Sequence, residues 1–491
     1  MTGGPAVPAP PRIPGLFSAP YRACTLAVGA TFVLIAFAGL ALSTAMPVAV
    51  QDLDGLPLYA LAFGGFLATS VVGTALAGGW ADRRGPAPAL YAGLACFAVG
   101  SVLAGVAGSI LPFLAGRLVQ GLGAGAVTVA LYVVVGHGYP TELRPRMFSL
   151  VTACWIVPSM LGPAVAGHIA QTYSWRWVFH GLALLTLVSL AVLARPLAAL
   201  PGAGGGTDGG TDSGTEAEAN AKANAEAKEQ PAGAARVLPA VSVALGAGLL
   251  QYAGGAGSSL LRVPAALAGL CLIALGLRRL LPPGTLTARR GIPSLVLLRG
   301  LSAAAYFTVE SYLPLMLVNE RRWSPTAAAL SLTGAALTWA LASWLQGRPT
   351  LRWSRERLVF TGALIHLAGA AVTLSGVLTA LPAATAGAGL VVSAFGMGLL
   401  LPGVGILTLE HSERGRQGVN SAALQLADSL CSVLLIGLCG ALFSLAHTRA
   451  GQDAFAFSAV FLTAVCVTAV ACPLARRIGL PRTKETLHAP L

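Results

Sequence analysis

The sequence predicts an all-α polytopic membrane protein in which two six-helix bundles flank two additional helices. Three observations support this fold class: a high apolar content, apolar runs long enough to cross a bilayer, and a one-sided distribution of basic residues. Hydrophobic residues make up 55% and charged residues 10% of the 491 residues, whereas about a quarter of the residues in a soluble protein are charged. A water-soluble fold cannot bury that much apolar surface, so the composition excludes a chain made only of soluble domains.

A spanning helix needs about 20 predominantly apolar residues. The first part of the chain contains six such runs, at 23–48, 57–80, 88–110, 112–136, 147–170 and 176–197. Two weaker runs follow, at 236–253 and 260–281. Six more complete the series, at 292–318, 326–346, 357–379, 384–408, 418–446 and 454–475. Because the weaker pair can be removed without reversing the topology, twelve spans remain an alternative to fourteen.

Basic residues concentrate in the segments that this topology places in the cytoplasm. Of the 31 Lys and Arg residues, five fall in predicted outer segments, namely Arg176, Arg262, Arg321, Arg322 and Arg449. Two more, Arg117 and Arg299, fall within spans. The positive-inside rule therefore predicts a multi-pass protein of the plasma membrane with both termini in the cytoplasm. It also accounts for the net charge of +13, so we expect no nucleic-acid partner.

Composition also sets the predicted division of the chain. We expect a cytoplasmic tail (1–22), an N-terminal six-helix bundle (23–198), a flexible cytoplasmic linker (199–235), two additional helices (236–281), a C-terminal six-helix bundle (282–476) and a second cytoplasmic tail (477–491). The linker is rich in Gly, Ala and Glu and has no apolar periodicity, which is typical of a flexible or weakly helical segment.

The cysteines and the nucleotide-binding signatures bear on cofactors. The eight cysteines lie mostly within apolar runs and form no C-x-x-C pair. They predict small buried apolar side chains rather than disulfides or a zinc site. The sequence G-x-x-x-x-G-K-[ST] is absent, so we do not expect this chain to hydrolyse ATP. The sequence therefore predicts neither a metal nor a cofactor.

The segment that follows the second span reads GGWADRRGPAPAL. Gly78 is expected to permit close helix approach, Asp82 to accept hydrogen bonds from a helix N-terminus, and Gly85 to permit a tight turn. Arg83 offers a partner for a carboxylate. The spacing G-x-x-x-D-R-x-G resembles the loop signature of the major facilitator superfamily, in which this loop acts as a cytoplasmic latch. Family members usually continue with basic residues where this chain has Pro-Ala, and an ordinary basic turn is the alternative.

The fourth span carries RLVQGLGAG at 117–125. An arginine inside a span costs roughly 2.5–3.5 kcal/mol, so Arg117 requires a polar partner or cavity unless it snorkels to the outer surface. Gly121 and Gly125 form a small-xxx-small pair that favours close helix packing. Arg117 with Gln120 resembles the fourth-helix motif of the superfamily, whose arginine is implicated in proton coupling in the proton antiporters.

The fifth span reads WIVPSMLGPAVAGH. Pro158 and Pro163 remove backbone donors, while Gly162 and Gly167 permit bending. The core G-P-x-x-x-G resembles the antiporter signature of exporters in the superfamily, although Ala166 stands where those proteins often have a second glycine. The resemblance implies export, and a proline-kinked helix without directional meaning is the alternative.

Three further segments resemble fourteen-helix drug:proton antiporters: SWRWVF at 174–179, LYALAFGGFLATSVVGTALAG at 58–78 and AYFTVESYLPLML at 305–317. The resemblance covers nearly the whole chain except the linker. It implies the major facilitator fold, a monomer that works by alternating access, and a small-molecule substrate and protons as the transported partners.

Ionisable residues inside spans are the remaining site candidates. Glu310 and Asp428 are expected to exchange protons or contact substrate, or else to pair with an arginine or a backbone amide. Arg299 is expected to snorkel to the inner surface. Relatives often carry an acid in the first span where this chain has Ala38, so any proton coupling is expected to rest on Glu310. His366 is expected to be a hydrogen-bonded structural residue.

These observations favour a proton-driven efflux carrier for small amphipathic or cationic compounds. An uptake symporter or facilitator of the same fold is the first alternative, and the fifth-span motif argues against it. A membrane-embedded enzyme or sensor is the second. The predicted inner segments lack the Asp-rich or His-rich clusters of lipid-phosphate transferases, and the linker is too short for a sensor domain.

Overall fold

The computed structural model describes residues 15–19, 21–140, 143, 146–147, 150, 154, 156–198, 233–254, 259–346, 353–377, 381–412, 417–447 and 453–478. Residues 1–14 of the predicted N-terminal tail, residues 199–232 of the predicted linker and residues 479–491 of the predicted C-terminal tail lie outside this part. The structural statements that follow refer to the described residues.

These residues form fourteen α-helices and no β-strand. The helices are α1 Arg22–Asp52, α2 Tyr59–Arg84, α3 Pro86–Gly105, α4 Ile110–Gly138, α5 Ile156–Thr172, α6 Trp175–Ala198, α7 Gly233–Gly254, α8 Ser259–Leu280, α9 Ile292–Asn319, α10 Pro325–Gln346, α11 Arg355–Ser375, α12 Ala384–Glu410, α13 Gln417–Ala446 and α14 Ala454–Leu474.

Twelve of these helices are long and apolar enough to cross a membrane. The described part of α5 has 17 residues, and the apolar part of α7 is limited to Val237–Leu250. An all-helical architecture follows from the bilayer itself, because a helix satisfies its backbone hydrogen bonds without water or a partner segment. The predicted fold class is thus confirmed.

Local sequence explains several helix boundaries. Gly85 adopts a φ of 77° between α2 and α3, and Pro86 occupies the first turn of α3. Gly291 adopts a φ of 88° before α9, which also has a proline in its first turn. Glycine is favoured at such positive φ values, and proline is tolerated where a helix needs no backbone donor. Ser354 caps α11 by accepting a hydrogen bond from the Arg357 amide.

We name the helices α1–α6 the N-half and α9–α14 the C-half. The outer end is the end at which α1 meets α2, and the inner end is the end at which α2 meets α3. These names follow the topology predicted from the sequence.

The two halves share one continuous hydrophobic core at the outer end. It contains Met46 and Phe113 of the N-half together with Tyr312 and Phe457 of the C-half. Towards the inner end, a cluster around Leu298 and Leu400 of the C-half also includes Val71 of α2. A further cluster, around residues such as Leu90 and Val135, contains only N-half residues among those described. The halves are therefore joined by a shared core at the outer end, and towards the inner end α2 still packs against the C-half.

The helix α7 lies in the seam between the halves. Ala247 of α7 packs with Ala68 of α2 and Val433 of α13. The helix α8 packs behind α7, and a Cβ atom at Gly246 would lie 2.6 Å from the Gly269 carbonyl oxygen. The outward face of α8 exposes apolar side chains, including Leu267. The two additional helices thus cover the α2–α13 seam from the side.

Candidate functional site

A polar contact between membrane-spanning helices joins α9 and α13. Nε of Arg299 donates to both carboxylate oxygens of Asp428, at 3.0 and 2.9 Å. Nη2 of Arg299 lies 2.8 Å from Asp428 Oδ2. It also lies 2.8 Å from Oε1 of Gln425, one turn before Asp428 on α13. The two charged side chains are only 17% and 16% exposed.

This geometry corrects the expectation that Arg299 snorkels to the inner surface. A guanidinium group buried in a helical bundle needs acceptors for its N–H groups, and Asp428 and Gln425 supply them at the depth of Arg299. For Asp428, the structure selects the alternative in which the acid pairs with an arginine.

Glu310 has a different environment from Asp428. Its side chain is half-buried, and no hydrogen bond or ion pair to it is formed within the described part of the chain. Of the candidate spans in the described part of the chain, α9 is the most buried. Glu310 is thus a half-buried acid on the most enclosed of these helices, without a partner among the described residues.

Arg299 and Glu310 lie on the same face of α9. They are eleven residues apart, which is close to three complete helical turns and about 16 Å along the axis. Tyr306 lies between them on this face, and its ring packs against Trp339 at 5.1 Å between centroids. One face of α9 therefore carries a paired cation near the inner end and an unpaired acid nearer the outer end.

Arg117 is buried in the N-half, away from these groups. Its Nε donates to the Ala62 carbonyl oxygen of α2 at 3.1 Å, and its Nη1 donates to Oε1 of Gln120. Gln120 in turn donates to Ser101 of α3 at 2.8 Å, and the guanidinium group lies 4.4 Å from the Phe66 ring centroid. Arg117 is 2% exposed, so it does not snorkel. This network ties α4 to α2 and α3, and it contains no carboxylate.

Close backbone contact makes this network possible. A Cβ atom at Gly121 would lie 2.2 Å from the Phe66 carbonyl oxygen, and one at Gly125 would lie 1.9 Å from that of Ser70. Only glycine permits such an approach of α4 to α2. The small-xxx-small prediction is confirmed.

The predicted latch segment is mostly helical. The helix α2 continues through Arg84, so the turn is confined to Gly85. A Cβ atom at Gly78 would meet no atom within 4 Å, so the close approach expected there is absent. The exposed Arg83 donates from Nε to the Gly79 carbonyl oxygen at 2.9 Å. The Asp82 side chain lies outside the described part, and the latch role stays a prediction.

The antiporter-like segment lies in α5 and ends against the C-half. Pro158, Gly162, Pro163 and Gly167 are all buried. A Cβ atom at Gly167 would lie 3.1 Å from the Thr326 Cα atom of α10. The Thr326 hydroxyl donates to Gln171 Oε1 at 2.8 Å. This segment thus forms part of the contact that closes the outer end.

Other outer contacts between the halves were missed from the sequence. Gln51 of α1 donates to Asn319 of α9, and Gly440 of α13 faces Ala60 of α2. Polar residues at the ends of α1 and α9 are the only sequence signal for these contacts. Nothing in a single chain shows which residues of opposite halves will meet.

His366 behaves as the sequence predicts. It is fully buried, and its Nδ1 atom lies 2.6 Å from the Ser393 hydroxyl. Its Nε2 atom lies 3.5 Å from the Thr468 hydroxyl. The ring thus connects α11, α12 and α14. Ala38 is 1% exposed and belongs to the shared outer core.

Fourteen helices arranged in two halves about a polar interior are consistent with the family suggested by the motifs. Residues 27–436 match the Major Facilitator Superfamily. The chain belongs to the major facilitator superfamily. Its relatives are transporters and not enzymes.

Curated relatives of this superfamily member include exporters. A probable multidrug-efflux transporter of Mycobacterium tuberculosis is 33% identical over 160 residues, which cover 33% of each chain. The multidrug transporter protein MdtP of Bacillus subtilis is 29% identical over 159 residues, or 32% of this chain and 29% of that one. The Acurin A biosynthesis cluster MFS-type transporter of Aspergillus aculeatus is 31% identical over 177 residues, or 35% and 32% of the two chains. The aligned segments span about a third of these relatives.

Solved structures support the fold over almost the whole chain. A D-xylose-proton symporter has a TM-score of 0.64 at 15% identity and covers 94% of this chain and 98% of its own. A peptide transporter named POT has a TM-score of 0.65 at 16% identity, covering 95% and 97%. At these identities the likeness concerns the fold alone.

Proposed function

We propose that this protein is a secondary active transporter of the plasma membrane that exports small amphipathic or cationic compounds in exchange for protons. The single observation that carries this proposal is that the two halves share one core at the outer end, whereas the innermost N-half cluster contains only N-half residues among those described. The family, the efflux names of its relatives and the G-P-x-x-x-G segment of α5 support the direction. We propose that the chain works as a monomer.

The shape of the core supports an alternating-access cycle. In this arrangement a path for a substrate would lead from the cytoplasm between the halves, while the shared core at the outer end blocks leakage. Export then requires the halves to rock about the central region, so that the outer contacts break and the inner ones form. We propose that residues 23–198 and 282–476 are the two moving units, with 236–281 between them.

Glu310 is the proposed proton carrier. A carboxyl group in a poorly hydrated cleft is easily neutralised, so it can hold a proton in one conformation and a negative charge in another. A proton taken up while the outer end is open would be released to the cytoplasm once the inner end is open. Asp428, held by Arg299, is a better candidate for the wall of the substrate cavity than for the carrier.

Arg117 and Gln120 have a supporting role in this proposal. Their bonds to α2 and α3 fix the position of α4 along the cleft, and we propose that they hold the N-half as one unit during rocking. We propose that Gly78, Asp82, Arg83 and Gly85 stabilise the conformation in which the inner end is closed.

Transport into proteoliposomes under an imposed pH gradient tests the function. Two dyes serve as cargo: tetramethylrhodamine methyl ester, an amphipathic cation, and tetramethylrhodamine, which has a free carboxylate. We expect gradient-driven exchange by the unmodified protein and its loss in Glu310→Gln. The exposed Glu356, at the start of α11, provides the matched control Glu356→Gln, which should retain exchange.

Two further variants separate the proposed roles. Asp428→Asn is expected to alter the apparent KM for the dye, and Arg117→Ala is expected to lower turnover. Undiminished gradient-driven exchange in Glu310→Gln would contradict the coupling role. Dye movement down the proton gradient, in the same direction as the protons, would identify a symporter instead.

A further inference from the structure

The side chains around Arg299 leave unused hydrogen-bond donors on the wall of the cleft. The ion pair with Asp428 uses Nε and Nη2 of Arg299. Nη1 has no partner in the described part of the chain, although it carries two N–H groups. Gln425 accepts through Oε1, so its exposed amide group is directed away from Arg299.

The carboxylate of Asp428 is already engaged on the same wall. Both carboxylate oxygens of Asp428 accept hydrogen bonds from Arg299, and the charges of the pair cancel. A cation that approached this wall would find the Asp428 carboxylate already bonded to Arg299. It would also be repelled by the guanidinium group, which carries the same charge. A carboxylate would instead find the donors of Nη1 and of the Gln425 amide, and bonds from a guanidinium to a carboxylate are among the strongest in proteins.

The N-half places one exposed aromatic side chain near this site. Tyr132 of α4 is 37% exposed, and the charge of Arg299 acts on it. Its ring packs against the buried Phe32 of α1 at 5.6 Å between centroids, which fixes its position. A flat aromatic ligand can lie against the ring of Tyr132 and direct a polar substituent towards Arg299.

We propose that Arg299 and Gln425 form a recognition site for the carboxylate of an aromatic substrate, whose ring system rests against Tyr132. This assignment rests on the proposed export function and specifies its substrate class as aromatic carboxylates. Asp428 is a positioning residue in this site, because it fixes the guanidinium group and neutralises its charge while no ligand is bound. Glu310 lies about 16 Å away along α9 and stays free to carry the proton.

Binding of the two rhodamine dyes tests the proposal without a gradient. Tetramethylrhodamine and its methyl ester share one ring system and differ only at the carboxyl group. Fluorescence anisotropy with the purified full-length protein in detergent is expected to give a Kd at least tenfold lower for the free acid, or 1.4 kcal/mol. The double variant Arg299→Gln/Asp428→Asn is expected to bind the two dyes equally, chiefly by losing affinity for the acid.

The double variant is chosen because it removes both charges together and leaves no unpaired charge in the bundle. Its folding is checked by size-exclusion chromatography. Gln425→Leu, which keeps the ion pair, is expected to weaken binding of the acid about tenfold and leave the ester unchanged. Arg278→Gln, at the exposed end of α8, is the control for a general charge effect and should retain the preference.

Equal or tighter binding of the ester by the unmodified protein would overturn the proposal. So would a folded double variant, or a Gln425→Leu variant, that keeps the full preference for the acid. A clear preference for the acid without gradient-driven exchange in proteoliposomes would instead overturn the proposed function and leave the recognition site standing.

Discussion

The hydroxyl group of Tyr59 lies 2.6 Å from the Ser311 carbonyl oxygen and joins the two halves at the outer end. Tyr59 is 1% exposed, and its ring meets that of Tyr312 at 5.3 Å between centroids. Ser311 directly follows Glu310 on α9. This contact between the halves and the proposed proton carrier are therefore neighbours in one helical turn of α9.

Replacing Tyr59 by Phe is expected to favour opening of the outer end. The substitution removes one buried hydrogen bond, worth about 0.5–1.5 kcal/mol, from the closed conformation only, which shifts the conformational equilibrium by roughly two- to tenfold. Electron-paramagnetic-resonance distances between spin labels at Tyr173 and Phe455, both exposed near the outer end, should gain a longer component.

Tyr139→Phe is the matched control for this substitution. Tyr139 lies 3.0 Å from the Thr25 hydroxyl within the N-half, so its loss should lower stability without changing the distances between halves. An unaltered distance distribution in Tyr59→Phe would show that this bond does not hold the outer end closed.

Gly440→Ala should force the outer end apart. The added Cβ atom would lie 2.1 Å from the Ala60 Cβ atom of the opposite half, so one half must move. We expect faster labelling of a cysteine introduced at the buried Met316 by an impermeant maleimide, and slower transport. Gly123→Ala, whose Cβ atom would meet the Phe97 amide within the N-half at 2.4 Å, should leave the labelling rate unchanged.

Gly125→Ala is expected to destabilise the protein, because its Cβ atom would lie 1.9 Å from a backbone oxygen of α2. Overpacking of this kind costs about 1–3 kcal/mol. Gly78→Ala provides the contrast, since open space surrounds Gly78 and alanine is favoured over glycine in a helix by about 0.5–1 kcal/mol. Thermal unfolding in detergent should give a lower melting temperature for Gly125→Ala than for Gly78→Ala. Equal melting temperatures would refute the close-packing argument.

Arg117→Lys should be destabilising although it keeps the charge. A lysine ammonium group cannot bond Ala62 and Gln120 and also stack on Phe66, so polar atoms in a buried network lose their partners. We expect a loss of about 1–3 kcal/mol by chemical unfolding. Arg278→Lys, at an exposed side chain near the end of α8, should change stability by no more than about 0.5 kcal/mol. Similar decreases in the free energy of unfolding in the two variants would mean that the hydrogen bonds of Arg117 contribute little to stability.

Asp52 predicts a pH dependence at the outer surface. The Trp175 indole N–H, followed by the Arg176 guanidinium, lowers the pKa of this carboxyl from its ordinary value of 3.8. The stabilisation of the folded protein by the ionised Asp52 is therefore complete above pH 3.8. It is lost as the pH falls through the lowered pKa. Since the Asp52 side chain is 50% exposed, the contribution is at most about 1 kcal/mol. The difference in melting temperature between the unmodified protein and Asp52→Asn should be constant from pH 7 to 5 and shrink near pH 3; a constant difference throughout would exclude this contribution.

Much of the fold could be predicted because the bilayer imposes strict rules on a sequence. A segment that crosses lipid must be apolar and must satisfy its backbone internally, so composition and run length identify the helices. The glycine pair Gly121 and Gly125 also predicted a close helix contact, since a four-residue spacing places both on one helix face. The close helix approach expected at Gly78 was wrong. A lone glycine does not form a four-residue pair, so it does not show which helix it faces.

The site was less predictable, because charged residues in spans are recognised by type but not by partner. Glu310 and Asp428 are equivalent in the sequence as acids within apolar runs. The structure separates them, since Asp428 receives the guanidinium of Arg299 and Glu310 receives none. Arg299 was expected to reach the surface because it lies in the inner part of its span, whereas its partner lies on a helix more than a hundred residues later.

The sequence by itself determined the all-helical membrane fold class, the apolar helices and the candidate ionisable residues, because each depends on local composition and on the cost of burying polar groups in lipid. Only the tertiary structure decided which acid is paired, that Arg117 is enclosed within the N-half, and that the halves meet at the outer end through Tyr59 and Ser311. Those outcomes depend on contacts between helices that are distant in sequence. Many pairings of such helices are compatible with one sequence, and only the packing of the folded protein shows which of them form.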